Sequence, residues 1–139
     1  MGTTQKKGNL GLVKAITDLT EKDIAVSLPI SESERYDLIA EKNNICKTVQ
    51  VRYTSLKNGK MEIKLKSVWS NGEGFQVRNR QKNDFDILAV YCPDTQKNYY
   101  LDASKFENGN GITLRVEDPK VKNNKIRMAE DYLEVDYMF

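Results

Sequence analysis

Tyr36-Asp37-Leu38-Ile39-Ala40-Glu41-Lys42-Asn43-Asn44-Ile45-Cys46-Lys47-Thr48-Val49-Gln50-Val51-Arg52-Tyr53 is the stretch that decides the fold. Tyr36–Ala40 and Ile45–Tyr53 are rich in aliphatic, β-branched and aromatic residues, and Asn43-Asn44 lies between them. Asparagine tolerates positive φ, which a tight hairpin turn demands of its central residues. The pattern predicts two strands joined as an antiparallel hairpin. Side chains alternate across a strand, so Gln50 and Arg52 share one face while Val49, Val51 and Tyr53 take the other. Pairing Tyr36–Ala40 with Thr48–Arg52 brings Asp37 toward the polar face. An acid, an amide oxygen and a cation then meet at one sheet end.

That set suits phosphodiester hydrolysis. An acid and a carbonyl oxygen hold a hard divalent cation, and a cation stabilises the charge that develops on phosphate. A plainer structural reading also exists, because an aspartate at a strand start and a polar pair on a solvent face occur in many hairpins.

Outward from the hairpin, Leu10–Glu21 has an approximately helical stripe of Leu10, Val13, Ile16, Thr17 and Leu19, with Gly8 or Asn9 as cap. Ile24–Leu28 reads as a short strand stopped by Pro29, and Ser31–Arg35 as a polar loop. Asn58-Gly59 is the strongest turn signal, and Met61–Ser67 alternates after it. Trp69–Gly74 is predicted as a loop, with Trp69 in a core or interface, and Phe75–Arg80 as a strand. Ile87–Cys92 reads as a buried strand and Asn98–Leu101 as its partner. Ala103–Phe106 suits one helical turn, Ile112–Val116 a strand, Pro119–Lys125 a basic loop and Ile126–Glu134 a final helix. The expected fold is α/β (α+β), a mixed, mainly antiparallel sheet flanked by helices.

The 139 residues fit one domain, 1–139, with residues 1–7 expected to fray. No apolar run suggests a membrane span and no signal-peptide pattern opens the chain, so a cytoplasmic protein is expected. Cys46 and Cys92 lie far apart in strand-like runs and are expected to be two buried thiols. There is no histidine, which excludes Ser-His and Cys-His nucleophile pairs and His-bearing metal sites. The net charge of +2 conceals an asymmetry: Lys42–Lys82 holds ten basic and two acidic residues, a net of +8, against −6 elsewhere. A polyanion would be drawn to the middle of the chain.

Tyr36-Asp37-Leu38-Ile39 followed by Val49-Gln50-Val51-Arg52-Tyr53-Thr54 resembles the active-site hairpin of the PD-(D/E)XK endonucleases. It is more narrowly similar to the intron-encoded homing endonuclease branch, in which glutamine replaces the second acid. The likeness continues in Lys7-Gly8-Asn9-Leu10-Gly11, Asp86-Ile87-Leu88-Ala89-Val90-Tyr91, Tyr99-Tyr100-Leu101-Asp102 and Arg127-Met128-Ala129-Glu130-Asp131-Tyr132. The resemblance implies a restriction-endonuclease-like core and cleavage of double-stranded DNA with Mg²⁺ or another divalent cation. Asp37 would be the acidic metal ligand, Gln50 would hold the second acidic position, and the Val51 carbonyl would complete the metal shell. Position 52 is expected to be the catalytic lysine and position 12 a glutamate, but this chain has Arg52 and Leu12.

Arginine keeps its proton and cannot act as a base, and Leu12 removes a carboxylate. The two departures together imply an altered site that binds DNA but cleaves slowly or not at all. Lys64 and Lys66 and, on the adjacent strand candidate, Gln76, Arg78 and Arg80 are expected to form the polar face of a two-stranded ribbon in a major groove, with Asn79 and Lys82 beside them, where arginine and lysine read guanine and amides read adenine. Lys57 and Lys60, at the hairpin tip, suit phosphate. Lys120 and Lys122, with Lys125 and Arg127, suit flanking backbone. A domain of this size reads a short site, so a homo-oligomer, a dimer or a tetramer, is expected. The apolar end Leu133, Val135, Tyr137, Met138 and Phe139 would serve an interface or fold back on the sheet. Competing readings are a non-catalytic DNA-binding module, a junction-resolving nuclease, and an RNA-binding or protein-interaction domain.

Overall fold

The computed structural model describes residues 3–65, 67–71, 74–78, 84–106, 111–119 and 126–139, with 67–71 and 74–78 described by their backbone alone. The first element, α1 (Thr4–Glu21), starts six residues earlier than the pattern predicts, so residues 4–7 are helical rather than frayed. The cap is Thr3, not Gly8 or Asn9. Its extended backbone carries a hydroxyl that accepts from the Lys6 N–H at 3.1 Å, satisfying a donor that the first turn leaves unpaired.

The buried face of α1 is Gly11, Ala15 and Leu19, while Val13 is 56% exposed. The contact side is therefore rotated from the predicted apolar stripe, and the small residues explain why. A Cβ on Gly11 would lie 3.4 Å from Tyr53 Cβ, so a bare helix backbone sits close against the sheet.

Next in the chain come β1 (Ala25–Ser27), β2 (Leu38–Lys42), β3 (Ile45–Tyr53), β4 (Lys60–Lys64), β5 (Ser67–Asn71), β6 (Gly74–Arg78), β7 (Ile87–Cys92), β8 (Lys97–Asp102) and β9 (Gly111–Arg115). One five-stranded sheet has the order β1-β2-β3-β7-β8. Its pairs are antiparallel except the central β3–β7, which is parallel. The β2–β3 hairpin turns at Asn43 and Asn44, with φ of +55° and +62°, the conformation that asparagine was expected to supply.

Both faces of this sheet are covered. On one, Ala15 and Leu19 pack with Leu38, Val49, Val51, Ile87, Ala89 and Tyr100. On the other, Met61, Ile63, Leu65 and Leu114 of the β4–β9 ribbon and its flank pack with Leu88, Val90, Tyr99 and Leu101. Every residue of β7 is buried, as a central strand clad on both sides requires. Asn58-Gly59 is a tight turn just ahead of β4, closed by a bridge between Lys57 and Lys60; Gly59 has φ of +74° and a Cβ there would meet the Glu117 carboxylate at 2.6 Å. The Gly59 carbonyl accepts from the Val116 N–H at 2.9 Å, fixing the tip to the chain after β9.

Four further expectations are corrected. The described part of the predicted Trp69–Gly74 loop is strand: Trp69 and Asn71 lie on β5 and Gly74 on β6, with Trp69 opposite Gln76. The strand bearing Lys64 pairs with β9 rather than with the strand bearing Gln76 and Arg78. The end of the chain forms two short 3₁₀ turns, Ala129–Tyr132 and Asp136–Met138, instead of one helix. Met128 bridges Arg115, which keeps the backbone extended where a helix would start. Cys92 is buried but Cys46 is exposed, because the first residues of β3 run out toward the turn beyond the covered part of the sheet. The Pro119–Lys125 loop lies outside the described residues from 120 onward.

Of the two fates for the apolar end, the structure has folding back: Val135 is buried, and Met138 and Phe139 pack on the helix-side core. Tyr137 stays 61% exposed, with Lys105 Nζ 5.8 Å from its ring centre. Among the described residues, no helix is long and apolar enough to cross a membrane.

Candidate active site

The site forms where β2 stops short of β3. The Asp37 N–H donates to the Val49 carbonyl at 2.8 Å, and the β2–β3 register ends one residue later in sequence, at Leu38 opposite Val49. Two residues along β3, Val51 projects its N–H to the same side but has no strand there to receive it. The Asp37 carboxylate replaces that strand: Oδ2 accepts from the Val51 N–H at 2.7 Å. A charge-assisted bond of this kind caps a half-buried donor whose loss would cost about 1–3 kcal/mol.

The carbonyl of a strand residue points to the same side as its N–H. The Val51 oxygen is therefore beside Asp37, and it accepts from Arg52 Nη1 at 3.1 Å. Arg52 Nε donates to the Lys64 carbonyl at 3.2 Å, tying the end of β3 to β4. Hydrogen-bonding sense orients the Gln50 amide so that its nitrogen donates to the Arg35 carbonyl and its oxygen accepts from Arg52 Nη1. Burial lowers the pKa of the Arg52 guanidinium from its ordinary value, while the charge of Asp37 acts to raise it. Arginine starts so high that it stays a cation.

The predicted catalytic residues divide between two adjoining pockets. Gln50 and Arg52 line one, with Ser33, Glu34, Arg35, Leu65, Asp84 and Phe85. Asp37 and Leu12 line the other, with Leu28, Pro29, Ser31, Glu32, Glu34 and Tyr36. Glu34 belongs to both walls, and Val51 connects Asp37 to Arg52 through its N–H and C=O. Leu12 is half-buried against the helix-side core. Sequence reasoning passed over Glu34, Arg35 and Asp84. Arg35 Nη1 and Asp84 Oδ1 form an ion pair at 2.8 Å in which the aspartate side chain is only 6% exposed. Their one sequence signal was adjacency: Glu34-Arg35 immediately precedes Tyr36-Asp37.

Of the expected DNA contacts, Lys57 and Lys64 are exposed, and Lys60 is half-buried, 3.4 Å from Glu62. Gln76 and Arg78 lie on β6, whose side chains are not among those described. Lys66, Asn79, Arg80, Lys82, Lys120 and Lys122 fall outside the described residues. A further concavity is lined by Lys60, Arg115 and Arg127, of which Arg115 was not anticipated. Arg127 lies 4.9 Å over the Phe106 ring.

A mixed sheet, a helix on one face and a polar site at the gap beside β3 define a nuclease core of the restriction-endonuclease type. A sequence model of the PD-(D/E)XK endonucleases matches residues 2–135, and the chain belongs to that family. The chain is also similar in fold to a solved structure of a bacterial homing endonuclease, I-Ssp6803I. The TM-score is 0.74 at 21% identity, over 99% of this chain and 93% of that one. Among curated proteins, nothing matches the sequence significantly.

Nucleases of this family generally use divalent metal ions. The residues of this chain fit such an ion poorly. Among the described residues no three acidic, cysteine or histidine side chains are gathered to hold one. Asp37 has one oxygen on Val51, Leu12 offers no oxygen, and the Val51 and Gln50 oxygens both face the Arg52 guanidinium. Even an ion that keeps most of its waters needs a free carboxylate to hold it, and a fixed positive charge beside the site opposes binding.

Proposed function

We propose that this chain is a site-specific double-stranded DNA endonuclease of the homing type whose cleavage site is altered at Leu12 and Arg52. It binds a duplex and cuts it slowly. The observation that carries this reading is the Arg52 guanidinium, which donates to the Val51 oxygen beside Asp37. A lysine in that place can position a water, whereas arginine holds its proton and fills the space. Family membership supports a nuclease, and the fold of the bacterial homing endonuclease supports the narrower class.

Lys57, Lys60 and Lys64, together with Lys66, Gln76, Arg78, Asn79, Arg80 and Lys82, are the proposed DNA contacts. Two-stranded ribbons fit the major groove, and β5–β6 supplies one. Lys120 and Lys122 would contact flanking phosphates. One domain reads few base pairs, so a dimer or tetramer would be needed for a long site. Mg²⁺ is the proposed ion for a form with its acid and lysine restored.

A non-catalytic DNA-binding module is the second reading, favoured by Leu12 and Arg52 themselves. Selection from a randomised duplex library, with and without Mg²⁺, separates the two. Slow cutting at the enriched site supports the endonuclease; enrichment without any cutting supports the module. No enrichment at modest salt would overturn both.

A further inference from the structure

Three oxygens surround the gap beside β3, from Asp37, Gln50 and Val51. In an ion site all three would point at one metal. Here two of them converge on a single atom of the protein, Arg52 Nη1, which donates to the Val51 carbonyl at 3.1 Å and to the Gln50 amide oxygen. The third group, Asp37, is held by Val51 instead: its carboxylate accepts from the Val51 N–H at 2.7 Å. Arg52 is held there from behind by the Lys64 carbonyl at 3.2 Å, so the guanidinium is anchored on two sides of its planar fork. Leu12 lines the Asp37 pocket, where a second carboxylate would otherwise draw in an ion.

We infer that the Arg52 guanidinium is the resident cation of this site, taking the Val51 and Gln50 oxygens that would face a divalent ion and excluding it. Its charge then meets a DNA phosphate without metal, an electrostatic role that arginine performs well because its fork is rigid and permanently charged. The phosphate half of this inference rests on the DNA-binding reading above. The exclusion of the ion does not, since it follows from contacts within the chain.

Titration of the DNA-free protein with Mn²⁺, followed by the paramagnetic resonance of the free aquo ion, tests the exclusion. Three proteins are compared: the unaltered chain, Leu12→Glu, and Leu12→Glu with Arg52→Ala. The unaltered chain and Leu12→Glu are expected to leave the free-ion signal undiminished into the millimolar range. The double variant is expected to bind Mn²⁺ roughly tenfold or more tightly than Leu12→Glu, a difference of about 1.4 kcal/mol, and to lose that binding on adding Asp37→Asn. If alanine leaves a disruptive hole, Arg52→Met makes the same comparison with the stem filled.

Mn²⁺ binding by the unaltered chain that Asp37→Asn abolishes would overturn the inference. So would equal binding by Leu12→Glu and the double variant, or none by either. Duplex affinity in EDTA against Ca²⁺ is measured in parallel and is expected to be the same in both. A tenfold gain in Ca²⁺ contradicts metal-free phosphate binding. Absence of duplex binding in both buffers removes the DNA reading and the phosphate role with it, while the Mn²⁺ titration still decides the exclusion.

Discussion

Asp18 and Asp37 are both aspartates whose carboxylates reach out to β-strands of the same sheet, and they serve different ends. Asp18, on α1, accepts from the Tyr100 hydroxyl at 2.5 Å and from Lys22 Nζ at 2.6 Å, all through one oxygen. Tyr100 is fully buried in the middle of β8, so the bond satisfies a phenol that otherwise has no water. The result is a strut between helix and sheet. Asp37 instead stands in for a missing strand at an open sheet end, beside a carbonyl that already faces a cation. A carboxylate between packed elements holds the fold together, and one at an interrupted edge has polar groups around it that are available to chemistry. The contrast lies in what surrounds each acid, since the two residues are chemically the same.

The largest effect expected of any variant sharpens the Asp37 side. Restoring Leu12→Glu with Arg52→Lys is predicted to raise the Mg²⁺-dependent cleavage rate on the bound duplex by on the order of a hundredfold, about 2.7 kcal/mol. Single-turnover rates check it, and an unchanged rate would mean that these positions do not limit cleavage. On the Asp18 side, Tyr100→Phe is predicted to lower stability by about 1.5 kcal/mol in urea denaturation while leaving duplex affinity unaltered. A change in affinity with no loss of stability would invert the comparison.

A smaller effect concerns pH. Burial raises the pKa of the Tyr100 phenol, and the Asp18 carboxylate that accepts its hydrogen bond raises it further. A raised folded-state value means that the phenol's contribution is fully present below the unfolded value, about pH 10, and is lost as pH rises above it. Stability is therefore expected to fall more steeply on the alkaline side in the unaltered chain than in Tyr100→Phe. Parallel alkaline curves for the two would contradict the strut. The smallest effect is expected of Lys57→Ala, which should weaken duplex binding uniformly across sequences and reduce the slope against log salt by about 0.9. A slope that does not change would remove Lys57 from the phosphate contacts.

Much of the fold was legible because its decisive signals are local. Asn43-Asn44 and Asn58-Gly59 name turns by their tolerance of positive φ, and Met61, Ile63 and Leu65 alternate cleanly. The unbroken apolar run Ile87–Cys92, ended by Pro93, reads as a buried strand, and it is one clad on both faces. What escaped depends on long-range packing. The rotation of α1 is set by Gly11 against Tyr53, a contact that periodicity does not register. The extended chain before Ala129 is imposed by its bridge to Arg115, and the strand character of Trp69 and its β5 neighbours by pairing with β6.

In the site, the sequence brought Asp37, Gln50 and Arg52 to one sheet end and the resemblance named the Val51 carbonyl, but neither showed that the Val51 N–H holds Asp37 while that carbonyl faces Arg52. Both Val51 contacts are made by its backbone, which carries no residue signal. Nor did it reveal Glu34, Arg35 and Asp84, because a polar loop and a single acid read as ordinary surface until the fold sets them around Gln50 and Arg52.

The most direct test is to present the unaltered chain with its selected duplex in Mg²⁺ and follow binding and strand breakage in the same samples. A stable complex with slow breakage at the bound site is expected, with breakage faster by on the order of a hundredfold once Leu12→Glu and Arg52→Lys are introduced. Cutting by the unaltered chain as fast as by the double variant would contradict it.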